Sequence, residues 1–202
     1  MSKIILASGS PRRQELLKLI TEDFEICPVD ADETIPDGMP VEMAAAFLAD
    51  LKASSCAKLF PDKIIIGCDT VVIHDDEIMG KPRNHEDAFR MLRKLSGEVH
   101  SVLTGVSLYY NTQTTVFTTE TKVEFYLLSD EEINAYLATG EPFDKAGAYG
   151  IQGKGSLLVR AIEGDYFNVV GLPVASLARN LKQFETLIRK PKITLHRPGT
   201  IS

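Results

Sequence analysis

Apolar residues along this chain follow two patterns, β-type runs and helical spacing. The β-type runs predict strands at residues 3–7, 24–28, 63–73, 100–110, 114–128, 156–163 and 166–170. Helical spacing and capping residues predict helices that begin near Pro11, Pro40, Asn84, Ser129 and Pro173. Because the β-type runs do not alternate regularly with the helices, they predict a mixed α/β sheet rather than a purely doubly wound one.

Length and charge set limits on the class of protein. The 202 residues carry 22 basic and 28 acidic side chains, a net charge of −6 with histidine neutral. This length predicts one domain, residues 1–188, and we interpret the basic, proline-containing segment 189–202 as a flexible tail. The acidic balance argues against a nucleic-acid-binding protein but is compatible with a small anionic ligand in a local basic pocket.

The sequence contains no feature of a membrane or disulfide-bonded protein. No apolar run reaches the roughly 18 residues of a membrane span, and the first apolar run is too short for a signal peptide. Cys27, Cys56 and Cys68 form no CxxC pair. We therefore expect no membrane partner and a location in the reducing cytoplasm.

Two arginines follow a predicted helix start in the sequence Ser8-Gly-Ser-Pro-Arg-Arg13. Ser10 is the predicted N-cap, so Arg12 and Arg13 lie in the first turn, where cations are unfavourable by roughly a few tenths of a kcal/mol each. An anion would remove this penalty. Hydroxyl, amide and guanidinium groups together predict a phosphate site, and the alternative is that both arginines point into solvent.

Asp69 lies within the apolar β-type sequence Gly67-Cys-Asp-Thr-Val-Val72. Burying an unpaired carboxylate is costly, so Asp69 is expected to meet a cation, a metal ion or hydrogen-bond donors, or to border a cleft. The residues alone leave a second interpretation open, in which Asp69 ends a strand and bonds a turn.

Further charged and polar residues lie in loops and, in the case of Lys52, on the predicted helix that begins near Pro40. The acidic segment Asp30-Ala-Asp-Glu33 could supply one or two carboxylates to a divalent cation, although most acidic loops are only solvated. Lys52, Lys81 and Lys145 could surround a triphosphate together with the two arginines. Gln152 lies in a glycine-rich loop, where its amide could read a base edge as both donor and acceptor.

Five segments in this order carry a resemblance to a known family. They are Leu6-Ala-Ser-Gly-Ser-Pro-Arg-Arg13, Gly67-Cys-Asp-Thr-Val-Val72, Gly80-Lys-Pro82, Leu95-Ser-Gly97 and Asp144-Lys-Ala-Gly-Ala-Tyr-Gly-Ile-Gln-Gly153. The chain resembles the Maf family of nucleoside triphosphate pyrophosphatases from about Ile4 to about Phe184, with Cys68 in place of an expected alanine. The resemblance implies a two-lobed fold similar to that of inosine triphosphate pyrophosphatases, with a cleft between the lobes, and a homodimer.

The resemblance also implies an activity, namely metal-dependent hydrolysis of dTTP and UTP at the α-phosphorus. Asp69 would be the catalytic proton acceptor, and Arg12, Thr70 and Gln152 would mark the branch specific for these substrates. Ser8, Ser10, Arg13, Lys52, Lys81 and Lys145 would bind phosphate. Glu33 and Asp69 would hold the Mg²⁺ or Mn²⁺ ion.

Two other functions remain open at this point. One is a Maf branch that acts on another nucleotide, either modified or purine. The other is a nucleotide-sensing regulator of cell division without catalysis. A panel of nucleotides distinguishes the first from dTTP and UTP hydrolysis, and tight binding without turnover would identify the second.

Overall fold

The computed structural model describes residues 4–189, and the predicted tail therefore lies, except for Arg189, outside the described residues. Within this range the chain forms one mixed sheet of seven strands. The strands are β1 (Ile4–Ala7), β2 (Phe24–Ile26), β3 (Ile64–His74), β4 (Glu77–Met79), β5 (Val99–Tyr110), β6 (Gln113–Phe125) and β7 (Val159–Glu163). Their order is β2-β1-β3-β5-β6-β7, with β4 added to β3. Strands β2, β1 and β3 are parallel and the other pairings are antiparallel, which confirms the predicted mixed sheet.

Six α-helices cover the sheet in the described part of the chain. They are α1 (Pro11–Leu17), α2 (Ala44–Ala57), α3 (His85–Leu95), α4 (Asp130–Leu137), α5 (Tyr166–Val170) and α6 (Val174–Arg189). Short 3₁₀ turns lie at Val41–Met43, Glu141–Asp144, Ala146–Ala148 and Gly153–Leu157. None of the helices between residues 4 and 189 is long and apolar enough to span a membrane.

Alternation along β3 divides the core between the two faces of the sheet. Its even-numbered residues join two apolar clusters on one face, with Ile64, Ile66 and Cys68 in the first and Val72 in the second. Helices α1 and α6 complete the first cluster, and α3 and α4 complete the second. The presence of two separate apolar clusters is consistent with the expected two-lobed fold, and Thr70 lies between their members on β3.

Helix α2 covers the opposite face at very short range. Gly67 of β3 and Gly105 of β5 lie beneath it, and a Cβ atom at either position would come within 2.2 Å of an α2 carbonyl oxygen. The missing side chains allow α2 to approach the sheet. This contact places Lys52 of α2 over Asp69, because Asp69 points to the same face as Gly67.

One edge of β3 changes partner halfway along the strand. Strand β1 pairs with Ile64–Gly67 of this edge and β4 pairs with Val72–His74. No described strand covers residues 68–71 there, whereas β5 pairs with the other edge continuously from Ile65 to Ile73. The backbone around Asp69 and Thr70 therefore borders an opening in the sheet.

Several sequence-based predictions of secondary structure differ from the structure, among them the predicted strands 24–28 and 114–128, which end at Ile26 and Phe125. Residues 166–170, predicted as a strand, form helix α5, because the Asp165 side chain accepts a hydrogen bond from Phe167 N–H and caps a helix. The predicted strand 156–163 begins only at Val159, since the preceding residues form a 3₁₀ turn. Ser10 is the N-cap residue of α1 as predicted, but its hydroxyl makes no capping hydrogen bond.

Candidate active site

A cleft of about 470 Å³ opens at the uncovered part of β3. It brings together ten of the eleven predicted site residues, which come from strands, helices and loops far apart in sequence. They are Ser10, Arg12, Arg13, Glu33, Lys52, Asp69, Thr70, Lys81, Gln152 and Lys145. The eleventh, Ser8, is buried beneath the cleft and contacts Arg13. The sequence interpretation in which Asp69 only ends a strand is wrong, because Asp69 lies within β3.

Lys52 connects the two predicted metal-binding carboxylates. Its Nζ donates a short hydrogen bond to Asp69 Oδ1 and pairs with Glu33 Oε1 at 2.9 Å. The Lys52 and Asp69 side chains are only 12% and 13% exposed, whereas Glu33 is 53% exposed. The ammonium group thus offsets the buried negative charge of Asp69, which explains how a carboxylate is tolerated in an apolar strand.

Arg13 turns from the first turn of α1 toward β3 and is not a solvent-directed side chain. Its Nε donates to Gly171 O at 2.9 Å, and its two terminal nitrogens donate to Ser8 Oγ at 3.3 Å and Thr70 Oγ1 at 3.1 Å. Thr70 Oγ1 also shares a 2.9 Å hydrogen bond with Thr104 Oγ1. Since a guanidinium group has five N–H donors, these bonds fix Arg13 while leaving donors for a ligand in the cleft.

Arg12 and Lys145 both line the cleft and share an acidic neighbour. Asp144 lies 3.9 Å from Arg12 Nη2 and 2.5 Å from Lys145 Nζ. Partial burial acts to raise the pKa of Asp144, but the hydrogen bond and charge of Lys145 and the charge of Arg12 hold it below its ordinary value. Asp144 therefore stays negatively charged. A bound triphosphate would compete with Asp144 for Arg12 and Lys145.

Lys81 and Gln152 are, together with Glu33, the exposed members of the set. Neither the Lys81 nor the Gln152 side chain makes a hydrogen bond or ion pair with another residue in the range 4–189, so both are available to a ligand. Their loops are joined by a hydrogen bond of 3.1 Å from Gly147 N to Gly80 O. Gly147 and the following Ala148 both have positive φ angles, 68° and 59°, which make the sharp turn between Lys145 and Gln152.

The donor set fits a divalent cation held jointly with a substrate. Among the described residues there is no group of three or more His, Cys, Asp or Glu that could bind a metal ion by itself. Asp69 and Glu33 nevertheless present carboxylate oxygens that share Lys52 Nζ as a partner, so they lie near each other. Mg²⁺ is commonly bound by one or two carboxylates together with phosphate oxygens and water, and this pair meets that requirement.

Several residues that border or support the cleft have no equivalent in the sequence-based prediction. Gly171 supplies the carbonyl that fixes Arg13, and it was missed because segment 166–170 was assigned to a strand. Asp144 was named in the sequence analysis only as part of a motif, although an acidic residue directly before Lys145 already suggests an ion pair between the two. Glu141 and Tyr136 bond the backbone around Gln152, and no local pattern indicated this.

The class of fold follows from comparison with solved structures. The Ham1 protein of Staphylococcus aureus matches with a TM-score of 0.50 and 17% identity, over 93% of this chain and 100% of that chain. A HAM1 protein from Coxiella burnetii matches with a TM-score of 0.52 and 15% identity, over 91% and 100%. The chain therefore has a Ham1-like fold, and identities this low concern the fold alone.

The family follows from the sequence of the whole domain. The model of the Maf-like protein family matches residues 3–184, and this chain belongs to the Maf family. A protein named dTTP/UTP pyrophosphatase from Bacillus cereus (strain ATCC 14579) is 50% identical over 185 residues, 92% of this chain and 97% of that protein. A protein of the same name from Geobacillus sp. (strain WCH70) is 50% identical over 183 residues, 91% and 98% of the two chains.

Proposed function

We propose that this chain hydrolyses dTTP and UTP to the nucleoside monophosphate and pyrophosphate, by attack of water on the α-phosphorus. The observation that carries the proposal is the convergence of five cationic side chains and one enclosed carboxylate on a single cleft. The names of relatives that share half of their residues with this chain support the same activity.

Charge complementarity supports a triphosphate as the ligand. A nucleoside triphosphate carries about four negative charges, and the cleft offers Arg12, Arg13, Lys52, Lys81 and Lys145. Arg13 is held by β3 and Gly171, while Lys81 lies on a separate loop, so the cations are spread along the cleft. Such an arrangement positions a chain of phosphates and stabilises charge that develops in the transition state.

Asp69 is the proposed proton acceptor for the attacking water. It is the only carboxylate of the cleft that lies within a strand of the described sheet, where neighbouring strands restrict its movement. Lys52 holds one carboxylate oxygen, Oδ1, through a hydrogen bond, which leaves Oδ2 to accept a proton from water. Activation of the water thus depends on a fixed carboxylate, and binding depends on the cations around it.

Asp69 and Glu33 are the proposed ligands of a divalent cation, Mg²⁺ or Mn²⁺. When bound, the ion would neutralise negative charge on the phosphates and lower the pKa of a bound water molecule. Lys52 already pairs with both carboxylates, so it holds them together before the substrate enters. On binding, the Lys52 ammonium group can turn to a phosphate oxygen.

Base selection is assigned to Gln152, Arg12 and Thr70. Gln152 presents a free amide that can donate to one edge atom of uracil or thymine and accept from another. Thr70 acts through Arg13, since its hydroxyl accepts from that guanidinium group. A site built to match a donor and acceptor pattern rejects bases in which the pattern is reversed.

The setting of the reaction is also part of the proposal. We place the enzyme in the cytoplasm, where nucleotide pools lie. The thiols of Cys27, Cys56 and Cys68 are all free, which fits a reducing compartment. A homodimer is proposed on the family resemblance.

The experiment is a panel of canonical and modified nucleoside triphosphates, incubated with the purified chain and Mg²⁺ or Mn²⁺, with every product identified. The proposal expects pyrophosphate and monophosphate from dTTP and UTP. Faster turnover of another nucleotide would assign the chain to a different substrate. Release of orthophosphate, or tight binding without turnover, would reject the proposed reaction.

A further inference from the structure

The Glu141 carboxylate is bound by backbone N–H groups that follow Gln152. Its two oxygens accept from Lys154 N at 3.1 Å each, and Oε2 also accepts from Gly155 N at 3.3 Å. Both amides lie in the first turn of the 3₁₀ segment Gly153–Leu157, where backbone N–H groups have few acceptors within the segment itself. A side chain thirteen residues away therefore fixes the backbone directly after Gln152.

The fit around this carboxylate is tight on the glycine side. Gly153 has a φ angle of 64°, and a Cβ atom there would lie 2.8 Å from Glu141 Oε1. The carboxylate therefore packs against the backbone of Gly153 itself, the neighbour of Gln152. A second contact lies before Gln152, where Tyr136 Oη accepts from Gly150 N at 3.2 Å. The backbone is thus held on both sides of Gln152.

The Gln152 side chain, in contrast, is exposed and makes no hydrogen bond within the described residues. Its position is consequently set by its backbone and not by contacts of its own. Glu141 is half-buried and lies outside the set that lines the cleft. Its carboxylate contacts the backbone of residues 153–155 and not the residues that line the cleft, so its contacts can act on a ligand through that backbone.

We propose that Glu141 is a positioning residue that orients Gln152 toward the nucleobase. The inference rests on the proposed function, because Gln152 matters only if a base lies in the cleft. Loss of the carboxylate leaves Lys154 N–H and Gly155 N–H without their acceptor, and the glycine residues on either side of Lys154 provide no rigidity to replace it. Base binding then weakens while Asp69 and the phosphate-binding cations remain in place.

Glu141→Ala, Glu141→Gln and the control Glu163→Gln provide the test. Glu163 is an exposed glutamate at the end of β7, away from the cleft. Glu141→Gln keeps one acceptor oxygen and serves as the conservative variant. All three variants leave the Glu141 carbonyl, which accepts a hydrogen bond from Lys145 Nζ, chemically unchanged.

Hydrogen exchange tests the positioning without any substrate. We expect the amides of residues 153–156 to exchange at least about tenfold faster in Glu141→Ala, with Glu141→Gln intermediate and Glu163→Gln unchanged. Exchange of the sheet amides should stay the same, which separates this effect from unfolding. Unaltered exchange at 153–156 in Glu141→Ala would overturn the proposal.

Steady-state kinetics tests the consequence for the base. In Glu141→Ala we expect KM for dTTP to rise about tenfold while kcat stays within about threefold, and the preference for dTTP over dCTP to fall. In Glu141→Gln the rise in KM should be smaller than in Glu141→Ala. A loss confined to kcat, or an unchanged preference, would overturn the assignment. Absence of dTTP hydrolysis by the unsubstituted chain would instead reject the proposed function, and the exchange result would still decide whether Glu141 holds the loop.

Discussion

Lys52 contacts both Asp69 and Glu33. Substitutions of single residues can therefore separate the functions of these two carboxylates. Asp69 lies in a strand and is almost enclosed, whereas Glu33 lies in a loop and is half exposed. The two carboxylates are therefore not equivalent. Asp69 is suited to a function that needs fixed geometry, and Glu33 is suited to a function that needs adaptation to a ligand.

Asp69→Asn should abolish most of the activity without unfolding the protein. The amide has the same shape but accepts protons poorly, so we expect kcat to fall about 10²- to 10⁴-fold. Turnover of dTTP is the measurement, and far-UV circular dichroism checks the fold. Asp62→Asn, a change in a 78% exposed carboxylate, serves as the control. Turnover near the unsubstituted level in Asp69→Asn would exclude Asp69 as the proton acceptor.

Gln152→Ala should change the choice of base more than the binding of phosphate. The Gln152 side chain is exposed and makes no hydrogen bond within residues 4–189, so its loss should not affect folding. We expect KM for dTTP to rise about tenfold, the effect of about one lost hydrogen bond of 1.4 kcal/mol. Inhibition by pyrophosphate should stay the same. An identical substrate profile in the variant would contradict this role.

At the scale of elements, the site depends on an irregularity in β3. The strand is paired along one edge by β5, but its other edge passes from β1 to β4 and is uncovered at residues 68–71. Asp69 and Thr70 point to opposite faces of the sheet, and both border the cleft because it opens at this edge. Helix α2 supplies Lys52 to one face, and α1 supplies Arg13 to the other.

Sequence patterns predicted most of these elements but not how they combine. The capping box at Ser129 and the N-cap at Asn84 were predicted correctly, because each depends on residues only three positions apart in the sequence. Helix α5 was missed, since its aromatic and β-branched residues favour a strand and only the Asp165 cap indicates a helix. The cluster of cationic side chains in the cleft was predicted from unusual local residue patterns and from the family resemblance. The Glu141 carboxylate contacts the backbone of a residue thirteen positions away, and no local sequence pattern predicts that contact.

Gly67→Ala tests the close contact of α2 with β3. The new Cβ atom would lie 2.2 Å from Ala49 O and 2.7 Å from Ala53 N, so the helix must move away. We expect the free energy of unfolding to fall by about 3 kcal/mol. Urea unfolding measures it, with Gly80→Ala as the control because a Cβ there meets nothing within 4 Å. A loss below about 0.5 kcal/mol in Gly67→Ala, the size of a typical surface change, would contradict the packing described.

For the molecule as a whole, a buried histidine beside the second apolar cluster links the core to the cleft. His100 Nε2 shares a 2.7 Å hydrogen bond with Tyr149 Oη, and both rings pack edge-on against Phe125. Tyr149, which lies between Lys145 and Gln152 in the sequence, also lines the cleft. Burial, together with the charge of His74, lowers the pKa of His100 from 6.5 to about 3.

Acid should therefore destabilise the folded protein partly through His100. Between about pH 6.5 and 3 the unfolded chain binds a proton at His100 that the folded chain does not, so stability falls as pH falls, by up to about 1.4 kcal/mol per pH unit. His100→Gln removes this titration. We expect its unfolding free energy, measured in urea, to depend less on pH over this range than that of the unsubstituted protein. His85→Gln, a change on the surface, is the control, and parallel pH curves for His100→Gln and the unsubstituted protein would contradict the account.

In the proposed reaction the cleft presents the α-phosphorus of a triphosphate to a water molecule beside Asp69. Hydrolysis of dTTP in ¹⁸O-labelled water, followed by mass spectrometry of both products, tests this directly. Attack on the α-phosphorus places the label in dTMP and leaves pyrophosphate unlabelled. Label in pyrophosphate would place the attack on the β-phosphorus and contradict the account.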